Sequence, residues 1–325
     1  MKVFELLKAY SRVCRMEYIP IEAPGVFAPL FMAATSFQDL LSIHVVEALV
    51  IFMLLFFSGF ILNALADVEV DSKYKKFISD SVRILGEKTL KIMVVAHVAF
   101  ALLLTLHLSI VYNNYWLLFW VSLATFFGLS YSVKPFHFKV RGLLQFSLMI
   151  FSIILVSLVY YVIGGTPSIP VLFVFLSFLI VHHGIELVNQ TQDHLEDKEI
   201  GLLTPSVRWG ITDTLMAAFI LTIVGLGLGI VGFYFLYYNN LQNLVVFGYS
   251  IGFEILFVFT ILILFIAYYI PLKGTWKFID ISLQNKTIEH KISQIKKQLN
   301  YPRWQLTGIL GVTFISTLFF IWKIV

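Results

Sequence analysis

The sequence predicts an all-α integral membrane protein with nine transmembrane helices. Three observations carry the prediction. Charged residues make up 13% of the 325-residue chain and hydrophobic residues 59%, whereas a water-soluble domain of this size carries roughly 25% charged residues. The apolar residues fall in blocks of about 20, the length of a bilayer-crossing helix, not in an amphipathic alternation. The basic residues cluster on one side of those blocks. The one cysteine, Cys14, rules out an intrachain disulfide. The stretch from Met1 to Met16 has no uninterrupted apolar core, so no cleavable signal is expected there.

The nine spans fall at 18–36, 45–66, 90–112, 115–133, 143–164, 169–190, 211–238, 244–270 and 305–325. The first is interrupted by Pro20, Glu22, Pro24 and Gly25, which a spanning helix tolerates when its neighbours satisfy the freed backbone groups. Breaks at Tyr112-Asn113-Asn114, Gly164-Gly165-Thr166-Pro167 and Tyr238-Asn239-Asn240 read as tight outer turns. With nine spans, Lys2 to Arg15, Lys73 to Lys91, Lys134 to Arg141, Lys198, Arg208 and the run from Lys273 to Arg303 all share one side, and Lys323 alone lies on the other. The expected topology places the N-terminus and every basic loop in the cytoplasm and the C-terminus outside. Residues 1–17 and the 273–304 connection carry apolar residues at helical spacing between lysines and arginines. They fit helices lying on the cytoplasmic leaflet or packed on the protein.

Span 2 ends in Asn63-x-x-x-Asp67-x-x-x-Asp71, and span 6 ends in Asn189-x-x-x-Asp193-x-x-x-Asp197, 126 positions later. A four-residue spacing puts the three side chains on one helix face, about 6 Å apart along the axis. Two such helices facing each other would gather four carboxylates and two amides. Four carboxylates repel unless a cation lies between them. An oxygen-only set suits Mg2+, which shares its coordination with a substrate's phosphates. Asp67, Asp71, Asp193 and Asp197 are therefore the expected metal ligands, and Asn63 and Asn189 the expected amide contacts to metal or phosphate. Glu69 and Glu196 interleave with the motifs but point elsewhere. The repetition divides the chain into a first repeat at 18–141, a second at 142–272 and an added ninth span at 305–325, with a site at the interface between repeats.

The paired motifs, together with Tyr131-Ser132-Val133-Lys134-Pro135 after span 4 and the stretch from Asp197 through Gly201 and Thr204 to Arg208 and Gly210, resemble the UbiA superfamily of intramembrane prenyltransferases. The resemblance implies nine helices around a central cavity open to the bilayer. It also implies Mg2+-dependent transfer of a prenyl group from a polyprenyl diphosphate to a lipophilic or aromatic acceptor. The chain departs from many relatives after Asp71, where Ser72-Lys73-Tyr74-Lys75 stands in place of an Asn-Arg-Pro segment, and after span 4, where His137 and Phe138 stand in a segment usually richer in proline. These departures bear on the acceptor.

Ionising an allylic C–O bond builds charge on the diphosphate and on the allylic carbon. The resemblance places Lys134, Lys139 and Arg141 near the phosphates, with Lys73, Lys198 and Arg208 as further basic candidates; each also serves orientation by positive charge. The ring face of Tyr131 suits an allylic cation. Ionisable groups within spans are costly and often functional. Glu186, one turn before Asn189, is expected to bind or deprotonate an acceptor. His182 and His183 lie a turn deeper, Glu254, His97 and His107 are weaker candidates, and Glu47 lies near the outer side. The expected partners are a polyprenyl diphosphate, a hydrophobic acceptor and the bilayer, and no nucleic acid. An intramembrane terpene cyclase or diphosphate lyase would use the same donor site without an acceptor. A transporter or prenyl-lipid binder is disfavoured because the acidic clusters lie at one face and no broken helix pair is visible.

Overall fold

The computed structural model describes residues 3–240, 245–246, 249–250 and 253–324. It is all-helical apart from a two-residue antiparallel pair, β1 (Val245–Val246) with β2 (Tyr249–Ser250). In chain order the helices are α1 (Val3–Val13), α2 (Ile19–Ala33), α3 (Phe37–Leu40), α4 (Ile43–Ala66), α5 (Val68–Tyr74), α6 (Lys76–Leu85), α7 (Glu87–Val111) and α8 (Trp116–Ser130). They continue with α9 (Ser147–Val162), α10 (Ile169–Gln192), α11 (His194–Glu199), α12 (Pro205–Trp209), α13 (Ile211–Asn240), α14 (Phe253–Leu283), α15 (Ile288–Gln298) and α16 (Tyr301–Ile324). Short 3-10 turns join α1 to α2 and α8 to α9.

Seven helices among the described residues are long and apolar enough to cross a bilayer: α4, α7, α9 with its preceding 3-10 turn, α10, α13, α14 and α16. A 24-residue helix is about 36 Å long, against a hydrocarbon core of about 30 Å. The protein is an integral membrane protein. Where the sequence predicts spans 1 and 4, α2 and α8 have 15 residues each, about 22 Å, so length alone does not bring the count to nine. Two boundaries also move. Tyr238 to Asn240 end α13 instead of forming a turn, and the start predicted for span 8 lies partly outside the described residues. α14 runs on past 270 to Leu283, carrying Pro271, Lys273 and Lys277 within it. At 31 residues it outlasts the hydrocarbon core, so its last turns can carry charge.

The chain packs as two compact units, Met1–Ala23 with Leu41–Val162, and Pro24–Leu40 with Ile163–Val325. Their border differs from the sequence division at 141, because α9 packs on α8 and α4 in the first unit.

In the first unit, Val13, Cys14, Ile61, Ala64, Ile78, Val82 and Leu90 form one buried cluster that seats α1 and α6 on the C-terminal end of α4 and the N-terminal end of α7. The opposite flank of α7 exposes Ile92, Val95, Phe100 and Leu103, a surface only lipid covers at low cost. At the other end of this unit, Glu47 accepts a hydrogen bond from His44 Nδ1 at 3.0 Å, and His107 Nδ1 lies 2.9 Å from Glu47 Oε1. The turns at Asn113 and Gly164 both use positive φ.

In the second unit α10 and α13 pack along a glycine seam. A methyl group added at Gly225 would lie 2.7 Å from the Ser177 carbonyl oxygen, and one at Gly232 would lie 2.9 Å from Val174 N. Small residues let helix backbones approach this closely where lipid offers no competing hydrophobic drive. The Trp304 indole lies against Gly274 and stacks on Phe278 at 5.5 Å, joining α16 to α14. α15 buries Ile292 and Ile295, and Lys291 Nζ donates to the Ser282 carbonyl at 2.7 Å. This is an amphipathic helix packed on the protein.

Candidate functional site

Each acidic motif sits where a spanning helix gives way to a short one. In the first unit the change falls at Asp67, φ −97° and ψ 8°, between α4 and α5. In the second it falls at Asp193, φ −91° and ψ 4°, between α10 and α11. These are nearly the same point in the sparsely populated bridge region between helix and sheet, where many active-site residues sit. The sequence spacing predicts an unbroken helix face; the structure breaks it at the central aspartate of each motif. Hydrogen bonding carries on across the first break, with Asp67 N donating to Asn63 O at 2.9 Å and Asp71 N to Asp67 O at 2.7 Å. Across the second, Asp193 N turns to Gln190 O at 3.3 Å, and Asp197 N donates to Asp193 O at 2.7 Å.

In the first unit, Ser132 Oγ donates to Asn63 Oδ1 at 3.1 Å. Lys139 Nζ lies 2.7 Å from Asp67 Oδ2 with both side chains mostly covered. The Lys139 backbone N–H donates to the Tyr131 carbonyl at 3.0 Å, which fixes the loop after α8. The Arg141 guanidinium braces that loop by donating to the Pro135 carbonyl. Lys134 and Lys73 are exposed and Tyr131 is half-buried. Asp71 is buried at 4% exposure, and its Oδ2 has no hydrogen-bond partner. Burial pushes its carboxyl upward from the ordinary range, Asp67 adds to the rise, and Lys75, Arg15 and Lys139 oppose it.

In the second unit the tether is neutral. Buried Thr204 donates through Oγ1 to Asp197 Oδ2 at 2.8 Å, with Ser206 Oγ 3.3 Å from the same hydroxyl. Leu202 N donates to the Asp197 carbonyl at 2.8 Å, and Gly201 turns the loop at φ +74°. His194 Nδ1 donates to the Ser206 carbonyl at 2.8 Å, and burial lowers the His194 pKa. Gln192 Nε2 donates to Asn189 Oδ1 at 2.8 Å. Glu196, pointing away from the motif as expected, pairs with Lys296 of α15 at 2.8 Å. Lys198 and Arg208 are exposed. Deeper on α10, Glu186 is half-buried, and His182 Nε2 lies 3.3 Å from Gln305 Nε2 of α16.

The structure thus brings Lys139 to Asp67 and Ser132 to Asn63. It adds Thr204, Lys75 and Arg15, to which the sequence reading gave no role at the carboxylates. Thr204 lay inside the quoted loop motif. Lys75 and Arg15 were counted only toward topology.

The donor set fits a hard divalent cation. It offers only oxygen, and Asp71 Oδ2 is a buried carboxylate atom lacking a partner. Among the described residues no three His, Cys, Asp or Glu side chains are grouped to hold an ion by themselves. Mg2+ ordinarily keeps several waters and takes further oxygens from substrate phosphates.

The model of the UbiA prenyltransferase family matches residues 23–268, and the chain belongs to that family. In solved structures the chain is similar to a UbiA homolog from Archaeoglobus fulgidus bound to GPP and Mg2+, at 16% identity and TM-score 0.58, covering 97% of this chain and 98% of that one. It is also similar to a digeranylgeranylglyceryl phosphate synthase, at 17% identity and TM-score 0.60, covering 95% and 99%. A further structure of a UbiA homolog from Archaeoglobus fulgidus matches at 14% identity and TM-score 0.61, covering 95% and 99%. At these identities the likeness is one of fold. No curated protein matches the sequence.

Proposed function

We propose that the protein transfers a prenyl group from a polyprenyl diphosphate to a lipophilic or aromatic acceptor within the membrane, in a Mg2+-dependent reaction. The observation that carries the reading is the matching placement of Asp67 and Asp193, each the residue at which a long apolar helix gives way to a short acidic one. Two helix ends built alike, each presenting a second carboxylate four residues on, suit one shared task. Both motifs serve one diphosphate, in a nine-helix layout built from two repeats.

Bound Mg2+ would neutralise the leaving diphosphate and lower the barrier to C–O cleavage. Asp67, Asp71, Asp193 and Asp197 would hold it, with Asn63 and Asn189 as amide contacts. Lys134, Lys139 and Arg141 add positive charge beside the phosphates, with Lys73 and Lys198 at greater distance. The allylic C–O bond breaks with its electron pair on the diphosphate. The Tyr131 ring face shelters the developing carbocation. The acceptor's nucleophilic atom forms the new bond and loses its proton to Glu186, which lies about 4.5 Å along the helix axis from Asn189. The active site and N-terminus face the cytoplasm and the C-terminus the outside.

The test supplies purified protein in lipid nanodiscs with labelled prenyl diphosphates of increasing length and total membrane lipid as acceptor. The expected products are diphosphate and a prenylated lipid found by mass spectrometry. Cyclic hydrocarbon formed without acceptor would identify a cyclase. Full activity in Asp67→Asn or Asp193→Asn would sink the metal assignment.

A further inference from the structure

Asp67 is under two demands. Its Oδ2 already holds the Lys139 ammonium at 2.7 Å, and in the transferase reading, on which this inference rests, the same carboxylate must hold a divalent cation. An ammonium and a divalent ion repel each other across a shared carboxylate. We propose that Lys139 is a displaceable counter-cation: it holds Asp67 in competition with the divalent ion, and passes to the donor's diphosphate when the ion takes the carboxylate.

The surroundings suit an exchange by side-chain movement alone. The Lys139 main chain is pinned to the Tyr131 carbonyl at 3.0 Å, while the ammonium rides on a flexible four-carbon stem and presents rotatable donors to any anion in reach. Asp71 Oδ2, buried and lacking a hydrogen-bond partner, offers an ion a first foothold four residues away. Lys75 and Arg15 also act on Asp71, so positive charge remains near the motif as Lys139 leaves. At the second motif Asp197 accepts from the neutral Thr204 hydroxyl, which repels no cation. One device would then couple ion entry to donor capture. The charge released from Asp67 becomes available when a diphosphate is to be bound.

The exchange predicts opposite signs for ion and donor. Full-length wild type, Lys139→Met and Lys139→Gln in nanodiscs are titrated with Mn2+ alone, followed by electron paramagnetic resonance. They are then titrated with a prenyl thiolodiphosphate analogue at saturating Mg2+. Lys139→Gln keeps an N–H for Asp67 and so guards against misfolding. Both variants are expected to bind Mn2+ roughly three- to tenfold tighter and the analogue at least about tenfold weaker. Mn2+ affinity unchanged or weakened in both variants overturns the exchange, as does the absence of saturable Mn2+ binding in wild type. With Asp67→Asn inactive and Mn2+ affinity unmoved by either Lys139 substitution, the exchange falls while the transferase reading stands.

Discussion

Asp67 and Asp193 interrupt their helices at nearly the same φ and ψ, yet their motifs are secured by different chemistry. At Asp67 a lysine ammonium lies against the carboxylate. In the second motif the distal carboxylate, Asp197, receives a buried threonine hydroxyl from a loop itself pinned by His194. The helices behind them differ too. α10 is buried along more of its length than α4 and is locked to α13 by glycines. The first motif is held by charge, which an incoming ion can contest. In the second, the Thr204 hydroxyl on Asp197 is a neutral contact that an ion can leave in place. The two motifs share a backbone arrangement that carries the carboxylates and differ in the contacts that support it.

The strongest way to break the comparison is to remove one carboxylate from each side. Asp67→Asn and Asp193→Asn are each expected to lower kcat/KM for the donor by about a hundred- to a thousandfold, the cost of losing one preorganised electrostatic contact. Steady-state kinetics across Mg2+ concentrations checks it, and a large effect on one side alone would end the idea of a shared task. Next is the neutral tether. Thr204→Val leaves Asp197 without its hydroxyl partner and is expected to cost about ten- to a hundredfold in kcat/KM, the equivalent of one buried hydrogen bond. Thr204→Ser should recover most of it, with the loss carried by the donor KM.

The packing difference is sharpened by two glycines. Gly225→Ala drives a methyl group into the Ser177 carbonyl and Val181, and is expected to destabilise the protein by about 1–3 kcal/mol. Gly59→Ala on α4 meets nothing within 4 Å and should change stability by less than about 1 kcal/mol. Thermal unfolding in detergent measures both. The smallest expected effect is a null one. Burial pushes the Cys14 thiol up to about 12, so its reactive thiolate form is nearly absent in the folded protein up to strongly alkaline pH. Maleimide at pH 8 should leave folded protein unlabelled and label it once the first unit unfolds.

Much of this was legible before any coordinates. Block length and charge gave a helical membrane protein, and the matched spacing of Asn63, Asp67 and Asp71 with Asn189, Asp193 and Asp197 singled out two helix ends that the structure builds alike. The backbone break was not legible. A four-residue spacing reads as continuous helix, and no glycine or proline marks Asp67 or Asp193. The choice of Lys139 as Asp67's partner was also hidden, because Lys134, Lys139 and Arg141 are equivalent as charges and only the loop's hydrogen bond to Tyr131 decides which ammonium arrives. Lys273 and Lys277 made the end of α14 look like a loop, although a helix that has cleared the hydrocarbon can carry lysines in its last turns.

The break at the two aspartates has a mechanical consequence. A spanning helix tilts to match the thickness of its bilayer, and a rigid extension would carry its carboxylates along with that tilt. Here the carboxylates beyond the break ride on α5 and α11, seven and six residues long, each joined to its span through one aspartate. Those short helices can keep their bearing while the spans lean. Membranes of longer or shorter acyl chains should therefore alter the enzyme's turnover far less than they alter the tilt of its helices.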